Sequence, residues 1–160
     1  MNKNLDLGDA YTRKDDRPEP VVLVIDDYDD MRETTAEWLR SCRLTVLTAS
    51  DGAAGLKILR DHAVDVVVSD INMPVMDGFA LIHELRATLR FANLPVIFTS
   101  GKDENRIPIL AAGATEFLLK THYTLDDLAI KVREYAGRGV ADAGSLSALP
   151  GGPLQAQRPS

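Results

Sequence analysis

Val64-Asp65-Val66-Val67-Val68-Ser69-Asp70-Ile71-Asn72-Met73-Pro74-Val75-Met76-Asp77-Gly78 is the stretch on which the fold turns. Its apolar run, Val66 to Val68, reads as a strand buried on both faces, predicted over Asp65–Ser69. Pro74 and the Asp77-Gly78 pair force a loop and open a helix. Asp70 therefore sits where a buried parallel strand meets water, the carboxyl end at which open α/β sheets bind ligands. An unpaired carboxylate half out of water costs free energy, so an Asp there needs a partner.

A second stretch supplies the context. Val21 to Ile25 is another apolar run, and it ends on Asp26-Asp27. If the two strands are parallel neighbours, Asp26, Asp27 and Asp70 crowd one edge of the sheet. Carboxylates packed together repel and raise one another's pKa. A hard divalent cation relieves this: Mg²⁺ takes one or two carboxylates, keeps some waters and leaves room for phosphate oxygens. Solvated strand-end acids are the plainer reading of either stretch alone, but not of both together.

Working outward, the chain alternates strand and helix. After the first strand, Met31, Thr35, Trp38, Leu39 and Cys42 form one helical stripe, with Trp38 expected to pack on the sheet. A strand over Leu44–Ala49 follows, then Ser50 and Asp51 as N-cap types for a helix with stripe Ala54, Ile58, Leu59. Past Gly78 comes a helix with Phe79, Ile82, Leu85 and Leu89 on one side. Pro95 opens a fourth strand, Pro95–Thr99, before Ser100-Gly101. Pro108 is tolerated only in a first helical turn, so the fourth helix is expected to start near Arg106 or Ile107 and stop at Gly113, with Lys102–Ile107 as loop. A fifth strand, Thr115–Leu119, ends on Lys120. Thr124 to Asp127 is a capping-box pattern opening a helix with stripe Leu125, Leu128, Val132, Tyr135.

Five strands and five helices in alternation, joined by short right-handed crossovers, give a doubly wound parallel sheet. The flavodoxin-like order 2-1-3-4-5 has its switch point between the first and third strands, which places Asp26-Asp27 beside Asp70. Residues 1–19 are polar and mixed in charge, and read as a flexible arm. Residues 20–137 form the folded domain. Residues 138–160, rich in Gly, Pro and Ala, read as a disordered tail.

Composition limits the function classes. The 160 residues carry a net charge of -6, so the domain offers no basic patch for nucleic acid. No apolar run reaches the roughly 18 residues that span a bilayer, and no signal-peptide segment opens the chain. The single cysteine, Cys42, allows neither an internal disulfide nor a zinc spacing. A cytoplasmic setting is expected.

These residues resemble the receiver domain of bacterial response regulators over about residues 20 to 137. The motifs are Asp26-Asp27 with Arg32; Asp70-Ile71-Asn72-Met73-Pro74 through Asp77-Gly78; Pro95 to Gly101 at the fourth strand end; and Ala112-Gly113-Ala114 leading to Phe117 and Lys120. The resemblance implies that Asp70 accepts a phosphoryl group from a phosphohistidine of a histidine kinase or histidine phosphotransfer protein. It implies Mg²⁺ held by Asp27 and Asp70 directly, by the backbone carbonyl of Asn72, and by Asp26 mostly through water. Lys120 pairs with Asp70 and then with the phosphoryl oxygens, which the backbone N–H groups at Asn72 and Gly101 also contact. Ser100 and Phe117 stand at the family's switch positions, a hydroxyl that moves to the acyl phosphate and an aromatic that turns inward. With no second domain legible, a stand-alone receiver signalling to another protein through its fourth helix, fifth strand and last helix is expected.

Three departures stand out. Thr121 replaces the proline that usually follows the lysine, and a cis bond before a non-proline residue costs about 2.5–4 kcal/mol, which favours trans. Phe117 lacks the hydroxyl of the commoner tyrosine, which favours inward packing. Pro108 shortens the fourth helix. Lys102, two residues past Ser100, is a candidate to reach over the pocket. The competing readings are a pseudo-receiver or phosphate sink that only docks, and a haloacid-dehalogenase-like phosphatase using Asp27-Tyr28-Asp29. His83-Glu84-Leu85-Arg86 resembles a kinase phosphoacceptor box but lies inside the helix after Asp70 and reads as coincidence.

Overall fold

The computed structural model describes residues 18–148, with side chains as far as Gly137. All but the end of the expected N-terminal arm, and the tail beyond residue 148, lie outside the described residues. Five parallel strands, β1 (Val21–Ile25), β2 (Thr45–Ala49), β3 (Val66–Asp70), β4 (Val96–Ser100) and β5 (Glu116–Leu119), form one sheet in the order 2-1-3-4-5. The helices are α1 (Asp29–Ser41), α2 (Gly52–Asp61), α3 (Gly78–Ala87), α4 (Arg106–Ala111) and α5 (Leu125–Ala148). This is the flavodoxin-like arrangement that the strand–helix alternation predicts.

Strand residues alternate between two cores, as the period of two requires. Val22, Val24, Val66, Val68 and Ile97 face Ala36 and Leu39 of α1 and Leu128 and Val132 of α5. Leu23, Ile25, Val67 and Phe98 face Leu56 and Leu59 of α2, Leu81, Ile82 and Leu85 of α3, and Ile109 of α4. Burying each such Leu, Ile or Phe contributes about 1.5–3 kcal/mol. Register then fixes the rim: Ile25 pairs with Ala49 and Ser69, Asp70 with Thr99, and Ser100 with Leu119.

Caps follow the local chemistry. Asp51 accepts the Ala54 N–H, and Asp77 accepts that of Ala80. At the start of α5 the box is reciprocal: Asp127 accepts from the Thr124 N–H, and the Thr124 hydroxyl accepts from the Asp127 N–H. The Gly78 N–H donates to the Ile71 carbonyl at 2.7 Å and closes the β3–α3 loop. A Cβ on Gly78 would lie 2.8 Å from the Phe98 ring and 2.9 Å from the Ile71 Cα, so only glycine fits. Gly113, at φ +117°, ends α4 as expected.

Several expectations are corrected. Trp38 is 40% exposed, because α1 approaches the sheet through Ala36 and Leu39 and leaves no depth for an indole. Leu89 is 93% exposed, since α3 ends at Ala87 and residues 89–91 form a separate 3₁₀ turn. Lys102–Ile107 is not all loop: Asp103–Asn105 is a 3₁₀ turn leading straight into α4, and Pro108 sits in that helix's first turn, where its missing N–H costs nothing. The helix backbone of α5 continues to Ala148, through positions read as tail. Propagating an existing helix needs no new nucleus, and the first proline beyond is Pro150.

Val75, in the β3–α3 loop, has φ +69° and is 83% exposed. A β-branched residue is strained there, and asparagine tolerates the left-handed region. Val75→Asn is expected to raise stability by about 0.5–1 kcal/mol, read as a higher urea midpoint with an unchanged slope. An unchanged or lower midpoint would refute the strain.

Candidate functional site

The C-terminal ends of β1, β3, β4 and β5 share one rim, and the side chains there come from the turns that leave each strand. Asp26 follows β1. Its N–H donates to the Ala49 carbonyl at 3.1 Å, and its Oδ1 accepts the Tyr28 N–H at 2.9 Å. Arg32, one helical turn into α1, donates to the Asp26 carbonyl at 2.8 Å and to Asp29 Oδ1 at 2.7 Å. That guanidinium fixes the turn carrying both acids. It also pairs with Asp29, whose side chain is 81% exposed.

Asp26, Asp27 and Asp70 each bring a carboxylate oxygen within 4.8 Å of the others. Asp26 is buried, Asp70 half-buried and Asp27 exposed. Lys120 leaves the end of β5 and is anchored by its N–H, which donates to the Ser100 carbonyl at 2.8 Å. Its Nζ lies 3.4 Å from Asp70 Oδ2 and 3.8 Å from Asp26 Oδ2. The ammonium thus serves two acids at once, with Asp27 as a third nearby. The described residues contain no cis peptide, so Lys120–Thr121 is trans, as the missing proline predicts.

Burial is the main influence on the Asp70 carboxyl and pushes its pKa up. Lys120 pulls it down, Asp26 pushes it up again, and the Ile71 N–H, 2.8 Å from Oδ1, pulls it down. The three acids offer only hard oxygen donors, and Lys120 leaves much of their charge unmet. This donor set fits Mg²⁺ rather than a soft metal.

Ser100 is fully buried, and its hydroxyl oxygen accepts from the Lys102 N–H at 3.0 Å and from Asn105 Nδ2 at 3.2 Å. Phe117 is already 4% exposed, with the Arg106 guanidinium 4.7 Å above its ring. The ring is thus buried beneath that guanidinium, in keeping with the inward packing that a missing hydroxyl favours. Gly101 is exposed and has open space where a side chain would point, and Asn72 is exposed two residues past Asp70. Lys102 is exposed too.

Three neighbours escape a reading of the sequence. Tyr123, Thr99 and Met31 line the same cleft as Asp26, Asp70 and Lys120. Burial pushes the Tyr123 phenol up, a hydrogen bond with Thr99 lowers it, and Asp26 and Asp70 raise it further. No motif marks this tyrosine; only the turn after Lys120 brings it here. His83 is exposed on α3, while Leu85 is buried and Arg86 donates to the Gly113 and Phe91 carbonyls, so this tetrapeptide is structural.

Residues 22–133 match the profile of the response regulator receiver domain. The chain belongs to that family. A transcriptional regulatory protein, PrrA of Mycobacterium tuberculosis, is 33% identical over 141 residues, covering 88% of this chain. The chain spans 60% of the length of that relative. The receiver domain of the Francisella response regulator 1452 superposes with a TM-score of 0.70 at 31% identity, covering 76% of this chain and 99% of that one. The response regulator TrrA of Thermotoga maritima, solved in complex with Mg²⁺-BeF, superposes at 0.66 with 27% identity, over 72% of this chain and 98% of its own. Receiver domains are signalling modules of two-component systems and bind Mg²⁺ at an aspartate cluster, and this receiver groups Asp26, Asp27 and Asp70 in that way.

A carboxylate whose folded pKa is raised contributes most stability when protonated and loses it as pH rises through the folded value. At neutral pH ionised Asp70 therefore opposes folding of the metal-free receiver. Asp70→Asn is expected to raise Tm by on the order of 2–5 °C at pH 7 without metal. The gain shrinks at acidic pH, where the wild-type carboxyl is protonated. A lower Tm for the variant at pH 7 would show that Lys120 outweighs burial.

Proposed function

We propose that this receiver accepts a phosphoryl group on Asp70 from a phosphohistidine and signals through a change in the region of β4, α4 and β5. The observation that carries this is Asp70 at the end of β3, within 3.4 Å of Lys120 and clustered with Asp26 and Asp27. The Asp70 oxygen attacks phosphorus as the P–N bond to the donor imidazole breaks; the bonding pair leaves with the imidazole nitrogen, which takes up a proton from solvent. Such transfer needs positioning and charge neutralisation more than covalent help. Lys120 moves from pairing Asp70 to pairing the phosphoryl oxygens.

Asp27 and Asp70 would hold Mg²⁺ directly, with the Asn72 carbonyl, and Asp26 through water; when bound, the ion neutralises phosphoryl charge. The N–H groups at Asn72 and Gly101 and the Ser100 hydroxyl donate to the phosphoryl oxygens. Ser100 and Phe117 are the switch residues, and the partners are a histidine kinase or histidine phosphotransfer protein and an output protein. A cytoplasmic setting is part of this proposal; separately, no described helix is long and apolar enough to cross a membrane.

Incubation with Mg²⁺ and a small phosphodonor, followed by intact-mass analysis, is expected to add one phosphoryl group to the wild type and none to Asp70→Asn. Equal modification of Asp70→Asn would remove the assignment. Asp27→Ala is expected to weaken Mg²⁺ binding by at least about tenfold in a direct titration. A docking-only module would show neither modification nor this loss.

A further inference from the structure

Two consecutive residues hold the two switch positions. Asn105 stands at the N-cap of α4, a place where asparagine usually accepts a helix N–H, yet its side chain makes no such bond. Its amide donates instead to Ser100 Oγ. With the Lys102 N–H also donating there, both lone pairs of the buried hydroxyl are filled from the side of the 3₁₀ turn. The next residue, Arg106, lies over the Phe117 ring and is held there by Asp103, which accepts from Nε at 2.9 Å and lies 2.8 Å from the terminal nitrogen. The Ser100 backbone is fixed in β4 by its pairing with β5. Only rotation of its side chain, or movement of the turn at 103–106, can redirect the hydroxyl.

We propose that Asn105 and Arg106 are positioning residues that clamp Ser100 and Phe117 in the unphosphorylated arrangement, so that movement of the Ser100 oxygen toward Asp70, or of the Phe117 ring away from Arg106, breaks these contacts. This rests on the phosphoacceptor reading of Asp70. Bonds made only in the free state weaken binding of a ligand that needs them broken. Because adjacent residues make the two contacts, a shift of one short turn frees both.

The test uses Mg²⁺ with beryllofluoride as the acyl-phosphate mimic, on the full chain. Asn105→Ala is expected to tighten mimic binding roughly three- to tenfold. Arg106→Lys, which keeps the charge but loses the flat stacking group, is expected to tighten it about twofold. In a Ser100→Ala background Asn105→Ala has no effect, whereas a general structural effect would persist. In the unliganded protein, amide exchange at Lys102 is expected to speed up in Asn105→Ala. Unchanged affinity in Asn105→Ala, or its effect surviving in Ser100→Ala, overturns the clamp. So does unchanged Lys102 exchange, which needs no ligand and judges the clamp separately. Failure of the wild type itself to bind the mimic overturns the Asp70 reading, and the clamp with it.

Discussion

Three carboxylates at one edge of the sheet, with a single ammonium between two of them, set the terms for the rest of the molecule. Asp26, Asp27 and Asp70 repel, and burial of Asp70 adds to the cost. In water such charges would simply move apart. Here they cannot, because Asp70 ends β3 and Asp26 follows β1, and the two strands are hydrogen-bonded neighbours. The sheet is stable enough to hold them there because both its faces are covered, by α1 and α5 on one side and by α2, α3 and α4 on the other.

That enforced crowding is what makes the site useful. A carboxylate whose charge is poorly met has a strong free-energy gradient toward a cation, which under the proposed function would stand beside the Lys120 ammonium where a phosphoryl group arrives. Much of the surrounding detail serves to keep the acids where they are. Arg32 braces the β1–α1 turn, the Gly78 N–H closes the β3–α3 loop, and the Lys120 N–H ties the β5 end to Ser100. The opposite holds on the far side of the rim. There, the contacts of Asn105 and Arg106 are few, made by side chains, and confined to a short turn and a short helix. Elements of that kind open at low cost.

The amino-acid sequence by itself determined the alternation of strands and helices and the acids at the strand ends. These are local matters. Val66-Val67-Val68 followed by Ser69-Asp70 reads as a buried strand running out to a polar end, and Asp77-Gly78 and Thr124 to Asp127 carry their caps within four residues. Strand order followed from chirality and short connections, and with it the meeting of Asp26, Asp27, Asp70 and Lys120. Tertiary structure alone decided what depends on contacts between distant segments. Trp38 lies outward because Ala36 takes the close approach to the sheet. Tyr123 enters the cleft because the Lys120 turn folds back over Thr99. Ser100 and Phe117 were legible as residue types, but their present positions depend on Asn105 and Arg106, whose side chains reach partners five and eleven positions away. No periodicity or propensity encodes such a reach; it exists only once β4, α4 and β5 are packed together.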